Sequence, residues 1–105
     1  MQIALKKNKA DCSLSHDKLY FVIGIEADDF RIIDDNGEPY LYSRRLFNVI
    51  DPAEPEEWIV KYGEEGEKYA YPKEMIESGF FEDYFDNKEN VKETFWNFMQ
   101  EKGWI

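Results

Sequence analysis

Short apolar runs alternate with compact polar breaks through most of the chain, and helical spacing emerges only near its C-terminus. Residues 2–7, QIALKK, read as a first strand, followed by a polar connection through NKADCSLSHDK. LYFVIGIE, residues 19–26, concentrates β-branched and aromatic residues, the composition of a half-buried or buried strand. After a turn at ADD the strand pattern resumes in FRIID, residues 30–34. Asn36-Gly37 is the dipeptide best suited to the positive φ angles of a two-residue hairpin turn, so PYLY returns as the next strand. Pro39 sets that strand's start or places it at a sheet edge. SRRLF then reads as a turn or single helical turn, and NVID as another strand. DPAEPEE, residues 51–57, is a surface crossing with two prolines.

The second half repeats some of this grammar. WIVKYG and KYAYP predict a hairpin about EEGE. Pro72 precedes a predicted helical turn with Gly79 as its stop. Asp86, with Glu89 three residues on, predicts a capped helix start. Val91, Phe95, Phe98 and Met99 follow at i, i+4, i+7 and i+8, one apolar stripe, and Gly103 ends the helix. The pattern predicts five to seven strands and one C-terminal helix, an α+β chain.

Residues 34–47 and 63–76 also match each other at an offset of 29. Gly37 falls on Gly66, Glu38 on Glu67, Tyr40 and Tyr42 on Tyr69 and Tyr71, Arg44 on Lys73, Leu46 on Met75 and Phe47 on Ile76. Each copy is a tight turn, a strand with two Tyr on one face and an apolar anchor. Two hairpins of one meandering sheet meeting similar demands explain the match; so does a duplicated unit.

At 105 residues, 43% hydrophobic and 17% aromatic, the chain is expected to form one domain, residues 1–105, with a single packed core. Its net charge of −10 disfavours nucleic-acid phosphates and anionic membranes and favours basic partners. Thirteen of the acids lie in residues 51–89 against four bases, so nearly all the net charge belongs to the second half. No apolar run approaches a bilayer span, the N-terminal apolar run is too short for a signal-peptide core, and lone Cys12 cannot form an internal disulfide. These features point to the cytoplasm.

Catalytic candidates are sparse. Cys12 and His16 are the residues available for a Cys-His dyad, but they lie four apart in a predicted loop, and a surface His beside a small buried Cys is the plainer reading. One His and one Cys exclude the usual four-ligand zinc arrangements. DDNGE has the outline of a calcium loop, but Pro39 occupies the required glycine position and the distant bidentate Glu is missing. No glycine-rich phosphate loop occurs. The expectation is a non-enzymatic chain without cofactor or metal.

Residues 19–51 resemble the core of a small SH3-like barrel. More closely, Tyr20, Val22 to Glu26, Asn36 to Glu38 and Leu46-Phe47 resemble small bacterial and phage proteins that pair a Y-x-V-I-G-I-E strand with an N-G-E turn and an L-F anchor. That resemblance implies an SH3-like antiparallel barrel or strongly bent sheet over residues 1–51. It makes residues 52–105 an added acidic hairpin and C-terminal helix, and it brings no assigned activity. The acidic aromatic motif with which signalling SH3 domains grip proline-rich peptides is not recognisable.

Function is therefore sought in the acidic half, where aromatics and acids alternate. An interface favours aromatics at its centre and charge at its rim. The expected partner-binding residues are Glu54, Glu56, Glu57, Trp58, Glu64, Glu65, Glu67, Tyr69, Tyr71, Glu82, Asp83, Tyr84 and Asp86. Phe80, Phe81 and Phe85 read rather as core. Two functions fit: an immunity or antitoxin-type inhibitor masking a basic toxin such as a nuclease, or a bacterial or phage regulatory adaptor binding a peptide or protein.

Overall fold

A computed structural model describes residues 1–104. Its strands are β1 (Gln2–Leu5), β2 (Tyr20–Phe21), β3 (Gly24–Glu26), β4 (Asp29–Ile33), β5 (Pro39–Ser43), β6 (Phe47–Asp51), β7 (Trp58–Tyr62) and β8 (Lys68–Pro72). A single 3-10 turn, Arg44–Leu46, joins β5 to β6, and two helices follow, α1 (Phe80–Phe85) and α2 (Glu89–Lys102). The strands form two sheets, ordered β2-β1-β6 and β5-β4-β3-β8-β7, with every pairing antiparallel. Among the described residues no helix is long and apolar enough to cross a membrane.

The five-stranded sheet is the middle layer. On one face Ile25, Phe30, Ile32, Ala70 and Trp58 pack against Ile3, Leu5 and Phe47 of the smaller sheet. On the other, Ile23 and Tyr71 pack against Phe81 and Tyr84 of α1 and Phe95, Phe98 and Met99 of α2. The expected stripe on α2 thus faces the core, with Val91 at its half-buried margin.

The expected barrel does not close. The stretch predicted as one strand, residues 19–26, breaks at Val22–Ile23, so that β2 serves one sheet and β3 the other. The Ile23 N–H donates to the Arg31 carbonyl at 2.8 Å across this break.

The two hairpins share more than composition. In the first, Ile33 pairs with Pro39 and Ile32 with Tyr40; in the second, Tyr62 pairs with Lys68 and Lys61 with Tyr69. Every pair transfers at the 29-residue offset. The first turn is not the expected two-residue type. Asp34 N–H donates to the Glu38 carbonyl and Gly37 N–H to the Asp34 carbonyl, while only Gly37, at φ 79°, enters the left-handed region; Asn36 does not. This is a three-residue loop ending in a left-handed glycine. The buried Asp34 carboxylate secures it, accepting from the Asn36 and Glu38 N–H groups and from the Tyr42 hydroxyl. In the second copy Gly66 takes the left-handed role at φ 81°. Gly63 stands in Asp34's place, and the Glu67 side chain folds over it to accept from the Glu65 N–H.

Two helix boundaries differ from expectation. Gly79, at φ 90°, precedes α1 instead of ending a helical turn, because the aromatic run from Phe80 is itself helical and buries Phe81 and Tyr84. Asp86 terminates α1 and does not cap α2, whose N-terminal flank is Lys88. Gly103 ends α2 as expected, and Trp104 N–H returns to the Met99 carbonyl at 3.1 Å. The Trp104 ring then stacks on Phe21 of β2 at 5.2 Å, tying the segment just after α2 to the smaller sheet.

Asp35, beside the first turn, anchors the long connection between β1 and β2. Its carboxylate accepts from Ser15 Oγ, Lys18 Nζ and the Tyr20 hydroxyl. The Ser15 and Lys18 bonds chiefly hold its pKa down at about 2.

Two predictions follow from these turns. Gly37→Val should cost about 1–3 kcal/mol in denaturant melts, because Val must adopt a left-handed backbone. Asn36→Val should cost less than about 1 kcal/mol, the loss of an exposed bond to Ser13 Oγ. For Asp35, a folded pKa below the unfolded value stabilises the native state above about pH 4, and this contribution disappears as pH falls through 2. Thermal melts of Asp35→Asn should show a lower Tm at neutral pH and a shallower acid limb between about pH 4 and 2.

Candidate partner-binding surface

β7 and β8 carry the acidic half outward from β3. Glu54, Glu56 and Glu57 lie exposed on the crossing that enters β7, and Glu64 and Glu65 are exposed at the hairpin tip. Glu67 is half-buried over Gly63. Glu82 and Asp83 lie on the solvent side of α1, and Asp86 is exposed just after it. Among the described residues, only Glu54 and Glu57 of the thirteen acids in this half form ion pairs, with Lys68 and Lys102.

The aromatic members of the expected site divide differently. Tyr69 is half-buried and faces a cleft. Trp58, Tyr71 and Tyr84 are buried and offer no ring to a partner, because the sheet that carries them or receives them is covered on both faces. Trp58 belongs to the core between the sheets, where its indole N–H has no partner among the described residues. Tyr84 packs between Phe81 and Phe95 and accepts from Trp96 Nε1 at 3.0 Å. Of the three Phe residues read as core, Phe81 is buried and Phe80 half-buried, while Phe85 lies at the surface stacked on Tyr40.

Tyr71 lies flat over Gly24, where a Cβ would approach its ring to 2.1 Å. Its hydroxyl meets Arg31, a cation only 6% exposed in the middle of β4. Arg31 Nε donates to Tyr71 Oη, Nη1 to the Pro39 carbonyl and Nη2 to Glu26 Oε2, each at 2.7 Å. Tyr71 donates in turn to the same Glu26 oxygen. The guanidinium lies 3.9 Å from the centre of the Phe81 ring, so α1 caps the charge with a π face. Burial foremost, and then the bond to Glu26, push the Tyr71 hydroxyl well above the ordinary phenol range.

This network floors a cleft of about 400 Å³ between the β7–β8 hairpin and the segment 75–82. Lys61, Tyr69, Glu77, Phe80 and Glu82 line its more open parts. All three Arg31 nitrogens are engaged inside the fold, which makes this side chain a strut joining β3, β4, β5, β8 and α1. The sequence signal was an arginine inside an otherwise apolar strand, FRII. Sequence reasoning also missed Ile59, Val60 and Tyr62, which are 40%, 41% and 69% exposed on β7. Their run of apolar residues on both faces of an acidic hairpin was the available sign.

The Cys12–His16 pair is not assembled. Cys12 Sγ is exposed and its polar neighbour is Ser13 Oγ, whereas His16 Nε2 faces the Lys6 and Lys9 carbonyls. Among the described residues no three His, Cys, Asp or Glu side chains converge as a metal site. Comparison with protein-family models, curated proteins and solved structures returns no match.

Tyr71→Phe removes one acceptor from Arg31 and one donor from Glu26 while keeping the ring. A loss of about 1–3 kcal/mol in urea melts is expected. Gly24→Ala should destabilise at least as much, by forcing the ring off the sheet. A Tyr71→Phe variant as stable as the parent would show that the buried arginine does not depend on it.

Proposed function

We propose that the chain is a non-enzymatic protein-binding domain whose acidic half docks a basic protein, in the manner of an immunity or antitoxin-type inhibitor of a cytoplasmic nuclease-like toxin. The observation that carries this reading is the exposed, largely unpaired acid of the second half, fixed on a hairpin and a helix that are themselves anchored by buried aromatics. A charge field on a rigid surface accelerates encounter with an oppositely charged partner and repels nucleic acid and like-charged proteins.

A second reading is a regulatory adaptor built on an SH3-like core. It draws support from the order of residues 1–51: a long β1–β2 connection, a strand shared between sheets, a tight hairpin, a 3-10 turn and a final strand paired to β1. Both readings use the acidic half as an addition to that core. A basic toxin gene beside this one favours the inhibitor; a partner without toxic activity favours the adaptor.

The test is stopped-flow association with a co-purified partner across a salt series. Between low and physiological ionic strength the screening length falls from ~30 Å to ~8 Å. The on-rate should fall roughly ten-fold or more, with a smaller change in dissociation. Reversing Glu56, Glu64 and Glu65 to Lys, which disturbs neither ion pair of this half, should slow association without lowering Tm. An acidic partner, or an on-rate flat in salt, would remove the electrostatic reading.

A further inference from the structure

β7 closes one side of the five-stranded sheet, and among the described residues its outer edge has no strand beside it. Its backbone directions follow from its neighbours. The Lys68 carbonyl accepts from Ala27 N–H, so Lys68 and, two residues on, Ala70 turn their backbone groups toward β3. The backbone groups of Tyr69 and Tyr71 are therefore directed to β7, where their partners are Lys61 and Ile59. Val60 and Tyr62 are left with N–H and C=O groups directed outward, and neither takes part in any turn or loop hydrogen bond.

The other sheet edges are blunted. β5 begins with Pro39 and has the Phe85 ring stacked on Tyr40. β2 has two residues, with Phe21 beneath Trp104. β6 pairs with β1 through a register shift. β7 alone among them offers five residues in unbroken register, without proline, and with exposed Ile59, Val60 and Tyr62.

We propose that β7 is a strand-addition site for an extended cationic segment of the partner. This rests on the protein-binding reading above and names where and how the partner docks. Backbone hydrogen bonds to Val60 and Tyr62 supply affinity that is blind to side chains, and the flanking charges select the occupant. Exposed Glu56 and Glu57, the latter paired with Lys102, lie just before the strand, and Glu64 and Glu65 just after it, with Lys61 the single base between. The segment that fits carries Lys or Arg at both ends and β-branched residues between. The same charges act against a second copy of this chain. Antiparallel self-pairing centred on Val60 would set Glu56 of one copy opposite Glu64 of the other at both ends of the ladder, which is destabilising.

The probe is a capped peptide with two Arg at each end around Val-Thr-Val, titrated into the ¹⁵N-labelled full chain. The largest amide shifts should fall on residues 58–63. Methylating the peptide nitrogens that face β7 keeps charge and side chains but removes the donors, and should weaken binding about ten-fold or more. Val60→Pro removes an outward N–H that β8 does not use, in a position an edge strand tolerates, and should weaken the parent peptide similarly. Its Tm reports whether the hairpin survives, and the methylated peptide on the unaltered chain gives the same answer without any variant. Salt-sensitive binding centred on α1 or the cleft, or binding indifferent to methylation, overturns strand addition while leaving the acidic-surface reading intact. No shift with this peptide, together with a salt-independent on-rate for the natural partner, overturns both.

Discussion

A guanidinium buried in the middle of a sheet is costly unless every donor is met and the charge is balanced. Arg31 is held at each of its three nitrogens by residues drawn from distant parts of the chain, and its charge is offset by one of them: Glu26 from β3, the Pro39 carbonyl from β5, Tyr71 from β8 and the Phe81 face from α1. Remove the second half and this cation loses its tyrosine and its aromatic cover. The acidic hairpin and helices are thus not a detachable tail on residues 1–51. They complete an environment that β4 cannot provide alone, and this dependence fixes where the exposed acids and the β7 edge stand.

The same constraint explains the layering. A sheet solvated on one face shows a clean alternation of apolar and polar residues, but one covered on both faces does not. β4 reads Phe30, Arg31, Ile32, Ile33, sending Phe30 and Ile32 toward the smaller sheet and Ile33 toward the helices. β8 divides likewise, Ala70 to one core and Tyr71 to the other. Gly24 leaves the space into which Tyr71 lies flat and reaches the arginine. The outermost strand, β7, receives cover for Trp58 alone, which is why Ile59, Val60 and Tyr62 remain open.

Much of the architecture was legible because it is local. Both hairpins, the 3-10 turn at Arg44–Leu46 and the α2 stripe are set by turn chemistry and spacing within a few residues. What escaped was long-range or ambiguous at short range. Gly79 suits a helix stop as well as a left-handed entry, so α1 went unread. Asn36-Gly37 is compatible with two- and three-residue loops, and the buried Asp34 carboxylate selects the longer one. For the candidate site, the acids other than half-buried Glu67 lie at the surface, since a carboxylate has little reason to be elsewhere. Trp58, Tyr71 and Tyr84 were misjudged because an aromatic beside acids looks alike in sequence whether it faces a partner or a second core. The open β7 edge depends on strand order, which no single segment encodes.

The central claim is that both halves of the chain form one cooperative unit about Arg31, rigidly presenting the acidic hairpin. Native-state hydrogen exchange tests it most directly, since it reports the opening free energy of each segment separately. Amides in β4, in β8 and in the buried turns of α2 should converge on one common opening free energy and respond equally to denaturant. Exchange of β8 and α2 through a distinct, lower-energy opening, with β4 still protected, would show that the second half folds as a separate layer and contradict the account.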